Sequence, residues 1–437
     1  MLTVLCSFFA GLLASFLVVL PVTRAFVRYR LLAWFLAEEK VYPLDQFNGW
    51  TFKNFITAGE PTLEGIIKTD MAANVLARLK IESNPIAPWD NIVPVDASNF
   101  IIAPKSPLAQ VYPSGRKPQA PELLPSYSSV TGILVAWPVN YPSRWSAHAK
   151  LIAAIAEKTT AIVTIPNKQS ADLLLAWLQK YKMASGQIRF LIARSDDIWM
   201  RDYGPTNIMT ADGPAIIANP YAPYEHAFQI ADNDIPYHVA QTLGLPVYRL
   251  PLLIEGGNIV HNGRGVAFIC DSIDERNPSL CSNAINDILC AYFGFRSVVR
   301  LPSLPGEVTG HADMAVRFGD GCAWVSQLPV KHRWAATLDI IADIVAEYCS
   351  VIRIPAAKAP SHAFWSYANC LSVNGRIIAP GYNENEDAIA AAAFAKGGLN
   401  DVVFVDFRAF PLGSVHCQTK EWFTPLDENP IPVGAVA

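Results

Sequence analysis

The chain has 437 residues, of which 51% are hydrophobic and 16% are charged, and its net charge is −4. This length supports a large core, and a mildly acidic chain without a basic block excludes the electrostatic footprint of a nucleic-acid-binding protein. The eight cysteines form no CxxC pair and no dense framework, which argues against a disulfide scaffold or a structural zinc site.

Residues 1–23 carry no charged side chain, and this apolar run is long enough to cross a hydrocarbon core of about 30 Å. A secretory signal has a similar apolar region, but the positive residues that normally precede it are missing. Arg24, Arg28 and Arg30 follow the run, and positive residues there favour the cytoplasmic side of a membrane. We expect a signal-like or anchor-like segment over 1–36, and a secreted or membrane-associated protein. A wrongly assigned start codon, which would leave a cytoplasmic protein, is the alternative.

The next stretch, 37–115, is rich in proline and lacks sustained periodicity, which predicts an irregular adapter or linker. The pattern then becomes regular. Buried strands and helices are predicted in alternation, with strands at 131–138, 160–166 and 188–194 and helices at 143–158 and 170–182.

A repeating unit follows in the second half of the chain. Four hairpin turns are marked by short Gly-containing sequences, at 211–213, 262–265, 319–321 and 374–376. Behind them come helical stretches at 235–243, 282–292, 333–347 and 384–396, and then apolar strands at 247–253, 297–302, 350–355 and 401–407. A unit of about 50 to 60 residues is typical of an array or propeller, and five units are counted from residue 131. Ordinary α/β alternation is the alternative.

Short polar motifs lie at one fixed place in this pattern, just before the first strand of each hairpin or after the last strand. They are RDYGP (201–205), EGGNI (255–259), GHADM (310–314), YANC (367–370) and SVHC (414–417). In a closed ring of such units, equivalent positions converge on one end of the axis. We therefore expect one pocket to contain Asp202, His311, Asp313, Asn369 and Cys417.

These side chains suit the chemistry of a guanidinium. Asp202 and Asp313 offer planar acceptors that match its fork of N–H donors. Because the guanidinium is resonance-stabilised and a poor electrophile, attack on its carbon needs a strong, soft nucleophile such as the thiolate of Cys417. His311 can protonate the departing nitrogen and later deprotonate water. The substrate cation and an imidazolium would together favour the thiolate.

Taken singly, each residue also has a structural explanation: a surface ion pair with Arg201 for Asp202, a satisfied core imidazole for His311, a buried thiol for Cys417 and a cap for Asn369. The two glycines of EGGNI can serve a tight turn. GHADM and SVHC could build a metal site together, although no short His or Cys spacing supports one.

In this order, DDIWMRDYGP, EGGNI, GHADM, YAN and HCQT resemble the guanidino-modifying, or pentein, superfamily. They are most similar to its branch of bacterial agmatine deiminases and Porphyromonas-type peptidylarginine deiminases. The match runs from about Arg116 to Glu421 and includes RNPSL (276–280), so 116–437 is expected to be the catalytic domain. The resemblance implies a five-bladed, pseudosymmetric α/β propeller. It also implies hydrolysis of a guanidinium to a ureido group and ammonia, without metal or other cofactor, through a covalent thiouronium on cysteine.

The resemblance also implies the role of each residue. Cys417 would be the nucleophile and His311 the acid and base, Asp202 and Asp313 would hold the guanidinium, Asn369 would orient the site and Trp199 would wall the aliphatic arm of the substrate. Members usually have two glycines shortly before the His-Cys pair, whereas this chain has Leu412, Gly413 and Ser414.

The implied substrate is a small guanidino compound or an arginine-containing peptide. Glu255 resembles the agmatine branch, while RDYGP and the GGN around Gly257 resemble the peptidylarginine branch, and we expect both residues to line the substrate. The bacterial peptidylarginine enzyme grips a C-terminal carboxylate with two arginines in the loop that matches 219–234. This chain has no arginine there, and His226 is the one cationic candidate.

Two other functions remain open on the same residues. An amidinotransferase would pass the amidino group to an amine instead of water. A non-catalytic propeller would only bind the guanidinium.

Overall fold

A computed structural model of the protein describes residues 96–103, 110–138, 144–221, 231–307, 309–357, 364–408 and 413–426. The apolar run 1–23, the predicted segment 1–36, most of the adapter and His226 lie outside these ranges. Apart from Arg144, the described residues belong to one compact unit, built from 88–138, 145–222 and 231–437. Within the described ranges, no helix has the length and apolar character needed to span a membrane.

Seventeen strands are found in the described ranges. In chain order they are β1 (Val111–Tyr112), β2 (Gly132–Ala136), β3 (Thr160–Ile165), β4 (Ile188–Ile192), β5 (Thr206–Thr210), β6 (Gly213–Ala218), β7 (Val247–Arg249), β8 (Val260–His261), β9 (Val266–Cys270), β10 (Ser297–Leu301), β11 (Val316–Phe318), β12 (Cys322–Gln327), β13 (Ser350–Pro355), β14 (Leu371–Val373), β15 (Arg376–Gly381), β16 (Asp401–Asp406) and β17 (Thr419–Trp422). All four predicted hairpins are present. The strand predicted over 247–253 is shorter and ends before Pro251, because proline cannot donate to a strand ladder.

These strands form five sheets with a shared topology. Two antiparallel strands come first, and a third strand then lies parallel to the second, as in β8-β9-β10, β11-β12-β13 and β14-β15-β16. A fourth sheet, β5-β6-β7, gains β1 as a parallel edge strand, so Val111 and Tyr112 of the predicted adapter belong to a sheet. In the fifth sheet, β2-β3-β4, the antiparallel partner is β17 from the other end of the chain.

Helices make the crossovers between the parallel strands. They are α1 (Trp145–Ala156), α2 (Lys168–Lys180), α3 (Met200–Tyr203), α4 (Ile235–Leu243), α5 (Ser272–Arg276), α6 (Ser282–Phe293), α7 (Ala335–Ala346) and α8 (Glu384–Lys396), with α3 and α5 the short exceptions. Local signals fix their ends. The Asn167 side chain accepts from the Ser170 N–H at the start of α2, and Gly244, with φ at 69°, ends α4.

The apolar faces of helices and sheets meet in several buried clusters. In α7 the buried residues Leu338, Ile341, Ala342 and Val345 recur at helical spacing and face the neighbouring sheet. Trp324 of β12 is almost fully buried, and its indole N–H donates to the Ala393 carbonyl at 2.8 Å. This packing fixes the strands, and with them the turns that precede the strands.

Candidate active site

Each sheet has an antiparallel strand at one edge, and the segment that precedes this strand contributes residues to the candidate site. Asp202 lies in α3 before β5, Gly257 in the 3₁₀ turn Gly256–Asn258 before β8, His311 and Asp313 at the turn Ala312–Met314 before β11, Asn369 before β14, and Cys417 before β17. Equivalent positions of five sheets therefore supply the residues that the sequence assigns to one pocket.

Gly257 lies at the centre of these residues. A Cβ atom on it would be 2.6 Å from His311 Nδ1, 2.8 Å from Asp202 Oδ1 and 3.3 Å from Asp313 Oδ1. The Gly257 N–H donates to Asp202 Oδ1 at 3.0 Å. The structure thus brings Asp202, His311 and Asp313 around one glycine that has no room for a side chain.

Glu255 and His311 face each other on one side of Gly257. His311 Nδ1 is 3.6 Å from Asp202 Oδ1, and its Nε2 is 3.7 Å from Glu255 Oε2. The other oxygen of Glu255 pairs with Arg276 at 2.6 Å. Glu255, predicted to line the substrate, therefore contacts the imidazole and an arginine.

Cys417 lies on the other side of Asp313. Its Sγ is 3.8 Å from Asp313 Oδ2 and 3.2 Å from Asn369 Nδ2. Asn369 also donates to the Asp313 carbonyl at 3.3 Å, so its amide links the thiol to the acid. Cys417 is therefore set among polar groups instead of hydrocarbon alone, and Asn369 does more than cap a bend.

The loop before Cys417 needs its single glycine. Gly413 has φ at 67°, and a Cβ atom there would lie 2.8 Å from the Trp199 ring and 3.3 Å from Cys417 Sγ. The next residue, Ser414, donates its hydroxyl to the Asn369 carbonyl and its N–H to Asn369 Oδ1. One glycine and one serine thus hold this loop, and Trp199 lies against it.

Burial and the surrounding charges shift the proton affinities of the site. Burial, together with the charges of Asp313 and Asp202, raises the pKa of the Cys417 thiol well above its usual value. Burial disfavours the imidazolium of His311, but the negative Asp202 and Glu255 outweigh this and raise its pKa to about 10. Burial and the two acids therefore favour the neutral thiol of Cys417 even where His311 is an imidazolium, so the imidazolium alone does not produce the expected thiolate.

The two aspartates also hold their protons more tightly than exposed carboxyls. Burial raises the pKa of Asp202, and it raises the pKa of Asp313 to about 7, with the negative Asp202 contributing to the Asp313 shift. The oxygen Oδ1 of Asp313 has no hydrogen-bond partner among the described residues. Burial thus outweighs the positive His311 near both acids, so an added cation would favour their ionised forms.

Several buried residues of the site were not predicted as such from the sequence. His416 Nδ1 is 2.7 Å from Asp313 Oδ2, and Arg201 pairs with Glu421 at 2.7 Å instead of with its neighbour Asp202. Arg276 belongs to RNPSL, which the sequence marks without indicating a role. The sequence contains these charged residues in or beside the motifs, but their neighbours along the chain do not reveal which acids they contact.

Across the described ranges, no group of three or more His, Cys, Asp or Glu side chains has the arrangement of a metal site. The seven cysteines in these ranges are all free thiols. His311, Asp313, His416 and Cys417 are instead paired through hydrogen bonds and ion pairs with acids and Asn369.

Comparison with known proteins decides the family. The sequence profile of the Porphyromonas-type peptidyl-arginine deiminases matches residues 123–422, well over half of the chain. The chain belongs to this family. It is a hydrolytic deiminase, an enzyme that cleaves C–N bonds of amidines, and the matched residues include every candidate site residue from Trp199 to Cys417.

Similar members of this deiminase family are agmatine deiminases. That of Pseudomonas fluorescens is 26% identical over 365 residues, covering 68% of this chain and 94% of the relative. Among solved structures, the Enterococcus faecalis agmatine deiminase has a TM-score of 0.63 at 16% identity, covering 73% of this chain and 100% of the other. The C. jejuni agmatine deiminase has a TM-score of 0.61 at 19% identity, covering 70% and 97%. The α/β pentein fold is thereby shown.

Proposed function

We propose that the chain hydrolyses the guanidinium of a small, non-peptide arginine derivative of the agmatine type, through a covalent thiouronium on Cys417. One observation carries the proposal. Three separate sheets contribute a thiol, an imidazole and two acids: Asp202, His311 and Asp313 surround Gly257, and the Cys417 sulfur lies 3.8 Å from Asp313 Oδ2.

Recognition of the guanidinium rests on charge and on free acceptors. Asp202, Asp313 and Glu255 are buried together. Of the positive groups near them, Arg276 already pairs with Glu255 and Arg201 with Glu421, which leaves His311 and Lys420. A guanidinium adds positive charge and offers N–H donors to Asp202 and to Oδ1 of Asp313, which has no hydrogen-bond partner in the part of the chain that the structure describes. We infer that the two aspartates hold the cation with its carbon toward Cys417.

Binding of the cation also activates the nucleophile. The charges of Asp313 and Asp202 oppose ionisation of Cys417. A bound guanidinium neutralises these acids and attracts the thiolate, so the thiol loses its proton to solvent as the substrate enters. The sulfur then bonds to the guanidinium carbon, and the π electrons of a C–N bond move onto the nitrogen to give a neutral tetrahedral adduct.

His311 carries the protons of the two later steps. As an imidazolium it protonates the departing nitrogen, which leaves as ammonia when the C–N bond breaks. The neutral imidazole then takes one proton from water as the water oxygen bonds to the carbon. The C–S bond breaks to release the thiolate, and the added hydroxyl gives its proton to solvent to form the ureido product. Glu255, held by Arg276, acts through the imidazole and keeps it protonated.

Two observations support a small substrate over a C-terminal arginine. The segment 219–234 contains no arginine that could grip a carboxylate. The similar curated relatives are agmatine deiminases, and one solved C. jejuni agmatine deiminase is a cysteine-to-serine variant with substrate bound. Trp199, beside the Cys417 loop, is placed to wall an aliphatic arm.

A substrate panel tests this function. The full chain is incubated with agmatine, free arginine, and peptides with internal or C-terminal arginine, and ureido product and ammonia are measured without an added amine. We expect agmatine to give the highest kcat/KM, and Cys417→Ala to lose activity while Cys281→Ser, at an exposed cysteine, keeps it. Turnover that requires an amine acceptor would identify an amidinotransferase, and preference for peptides would overturn the substrate assignment.

We also infer that the five sheets are the blades of one closed ring. Pairing of β17 with β2 joins the two ends of the domain, as closure of a ring requires. The shared topology of the five sheets and the common place of their polar segments support the same inference.

For the N-terminal segment we propose export or membrane association through residues 1–23, on the apolar sequence alone. The test compares the cell fractions that hold the full chain and a chain beginning at Arg24. A shift of the shortened chain to the cytosol is expected, and equal distribution would contradict the proposal.

A further inference from the structure

His416, the residue before the nucleophile, is buried between two acids. Its Nδ1 is 2.7 Å from Asp313 Oδ2, and its Nε2 is 3.9 Å from Glu421 Oε1. Its backbone N–H donates to the Asn369 carbonyl, and its carbonyl accepts from Arg201 Nε. The ring is thus held in place from both backbone ends.

The partners of Glu421 decide which ring nitrogen carries the hydrogen. Glu421 pairs with Arg201 at 2.7 Å and faces Arg317 at 3.7 Å, so its charge is already compensated. Burial lowers the pKa of His416, and the positive Arg201 and Arg317 lower it further, so the ring is neutral and has one N–H. We place this hydrogen on Nδ1, which donates it to Asp313 Oδ2 at 2.7 Å.

This hydrogen bond makes the two oxygens of the Asp313 carboxylate unequal. Oδ2 accepts from His416, whereas Oδ1 has no partner among the described residues and faces the space beside Gly257. The loop that carries Cys417 therefore also fixes the rotation of the acid. A carboxylate held by one oxygen presents the other in a defined direction.

We propose that His416 is a positioning residue that fixes Asp313 through its Nδ1–H, so that Oδ1 is aimed at the guanidinium. The inference rests on the proposed function, because it assigns Asp313 to the substrate cation. The proposal assigns His416 no contact with the substrate, because its effect passes through Asp313.

Two amide substitutions separate the two nitrogens of the ring. In His416→Asn the amide nitrogen can occupy the place of Nδ1 and still donate to Asp313. In His416→Gln the amide reaches the place of Nε2, so polarity is retained while the donor to Asp313 is lost. KM and kcat for agmatine are measured for both, with the urea midpoint of unfolding as a check on folding.

We expect His416→Gln to raise KM about tenfold, the size of one lost hydrogen bond to a charged group, with a smaller change in kcat. His416→Asn should keep KM within about threefold of the wild type, at a similar urea midpoint. Equal KM values for the two variants would overturn the proposal. If both variants lose activity in proportion to a lower urea midpoint, His416 has a purely structural role and the proposal is also overturned.

A binding measurement keeps this inference separate from the proposed function. The affinity for agmatine is measured by calorimetry for Cys417→Ala alone and combined with each His416 substitution. Suppose that the wild type produces no ureido compound, and that of the two combined variants only the one with His416→Gln binds agmatine about tenfold more weakly than Cys417→Ala. The proposed function then fails and the positioning role stands. If the Asn and Gln combinations bind equally, the positioning role fails whatever the wild type does.

Discussion

Gly257 is the residue on which the site depends most closely for space. A methyl group there would overlap His311 and Asp202, both fixed by their own contacts. We expect Gly257→Ala to lower kcat/KM about a hundredfold, because small displacements of reacting groups have effects of that size. The control is Gly186→Ala, since a Cβ atom at Gly186 meets nothing within 4 Å. Near-normal activity of Gly257→Ala would contradict this geometry.

In the proposed mechanism, the pH dependence of kcat/KM follows from two residues. Asp313 must be ionised to hold the cation, and its pKa of about 7 means that activity falls as pH drops through this value. His311 must be protonated to release ammonia, and its pKa of about 10 means that activity falls as pH rises through it. A bell-shaped profile with limbs near these values is expected. An optimum near pH 5 would contradict the assignment of Asp313.

At the scale of elements, the sequence predicts the strands, hairpins and helices well. Turn residues and apolar periodicity are local properties, so α4 and α8 lie at the predicted residues, 235–243 and 384–396. Edge strand β1 was not predicted, since its pairing with β7 depends on residues more than a hundred positions away.

The candidate site was predictable as a set of residues but not as a set of contacts. The common place of the polar motifs before the first strands indicated Asp202, His311, Asp313, Asn369 and Cys417. It could not indicate that Arg201 turns to Glu421, or that Glu255 is shared by Arg276 and His311. Which partner a charged side chain takes is decided by burial and by the neighbouring sheets.

Glu421 of strand β17 pairs with Arg201 and Arg317, and its substitution tests whether this pairing is buried. Glu421→Gln leaves Arg201 and Arg317 buried without their carboxylate, and loss of one partner of such a pair costs about 3–5 kcal/mol in the free energy of unfolding. Urea unfolding at pH 7 measures it. The control is Asp320→Asn, because the Asp320–Arg264 pair is exposed and contributes about 0–1 kcal/mol. Equal effects of the two substitutions would contradict the buried pairing.

The same pair predicts an acid limb of stability. Burial disfavours ionised Glu421, but Arg201 and Arg317 outweigh this and lower its pKa from 4.5 to about 2. The stabilisation is therefore present above pH 4.5 and is lost as pH falls toward 2. In Glu421→Gln this part of the pH dependence should disappear.

At the scale of the whole molecule, the boundary of the catalytic domain can be measured. A chain beginning at Asp96 keeps β1 and the pairing of Ile101 with Phe190, whereas one beginning at Arg116 loses both. We expect the shorter chain to unfold with a free energy at least about 1 kcal/mol lower, because backbone hydrogen bonds are lost. Its kcat/KM should be unchanged, since the described site residues all follow residue 116. Equal stability would support the predicted boundary at 116.

The whole enzyme also gives the most direct test of its chemistry. The full chain is quenched with acid during turnover of agmatine, and its peptides are mapped by mass spectrometry. We predict an adduct on Cys417 that contains the guanidino carbon and the aminobutyl arm, and none in Cys417→Ala. Continued turnover by Cys417→Ala, with no adduct on Cys417 of the wild-type chain, would contradict covalent catalysis by this cysteine.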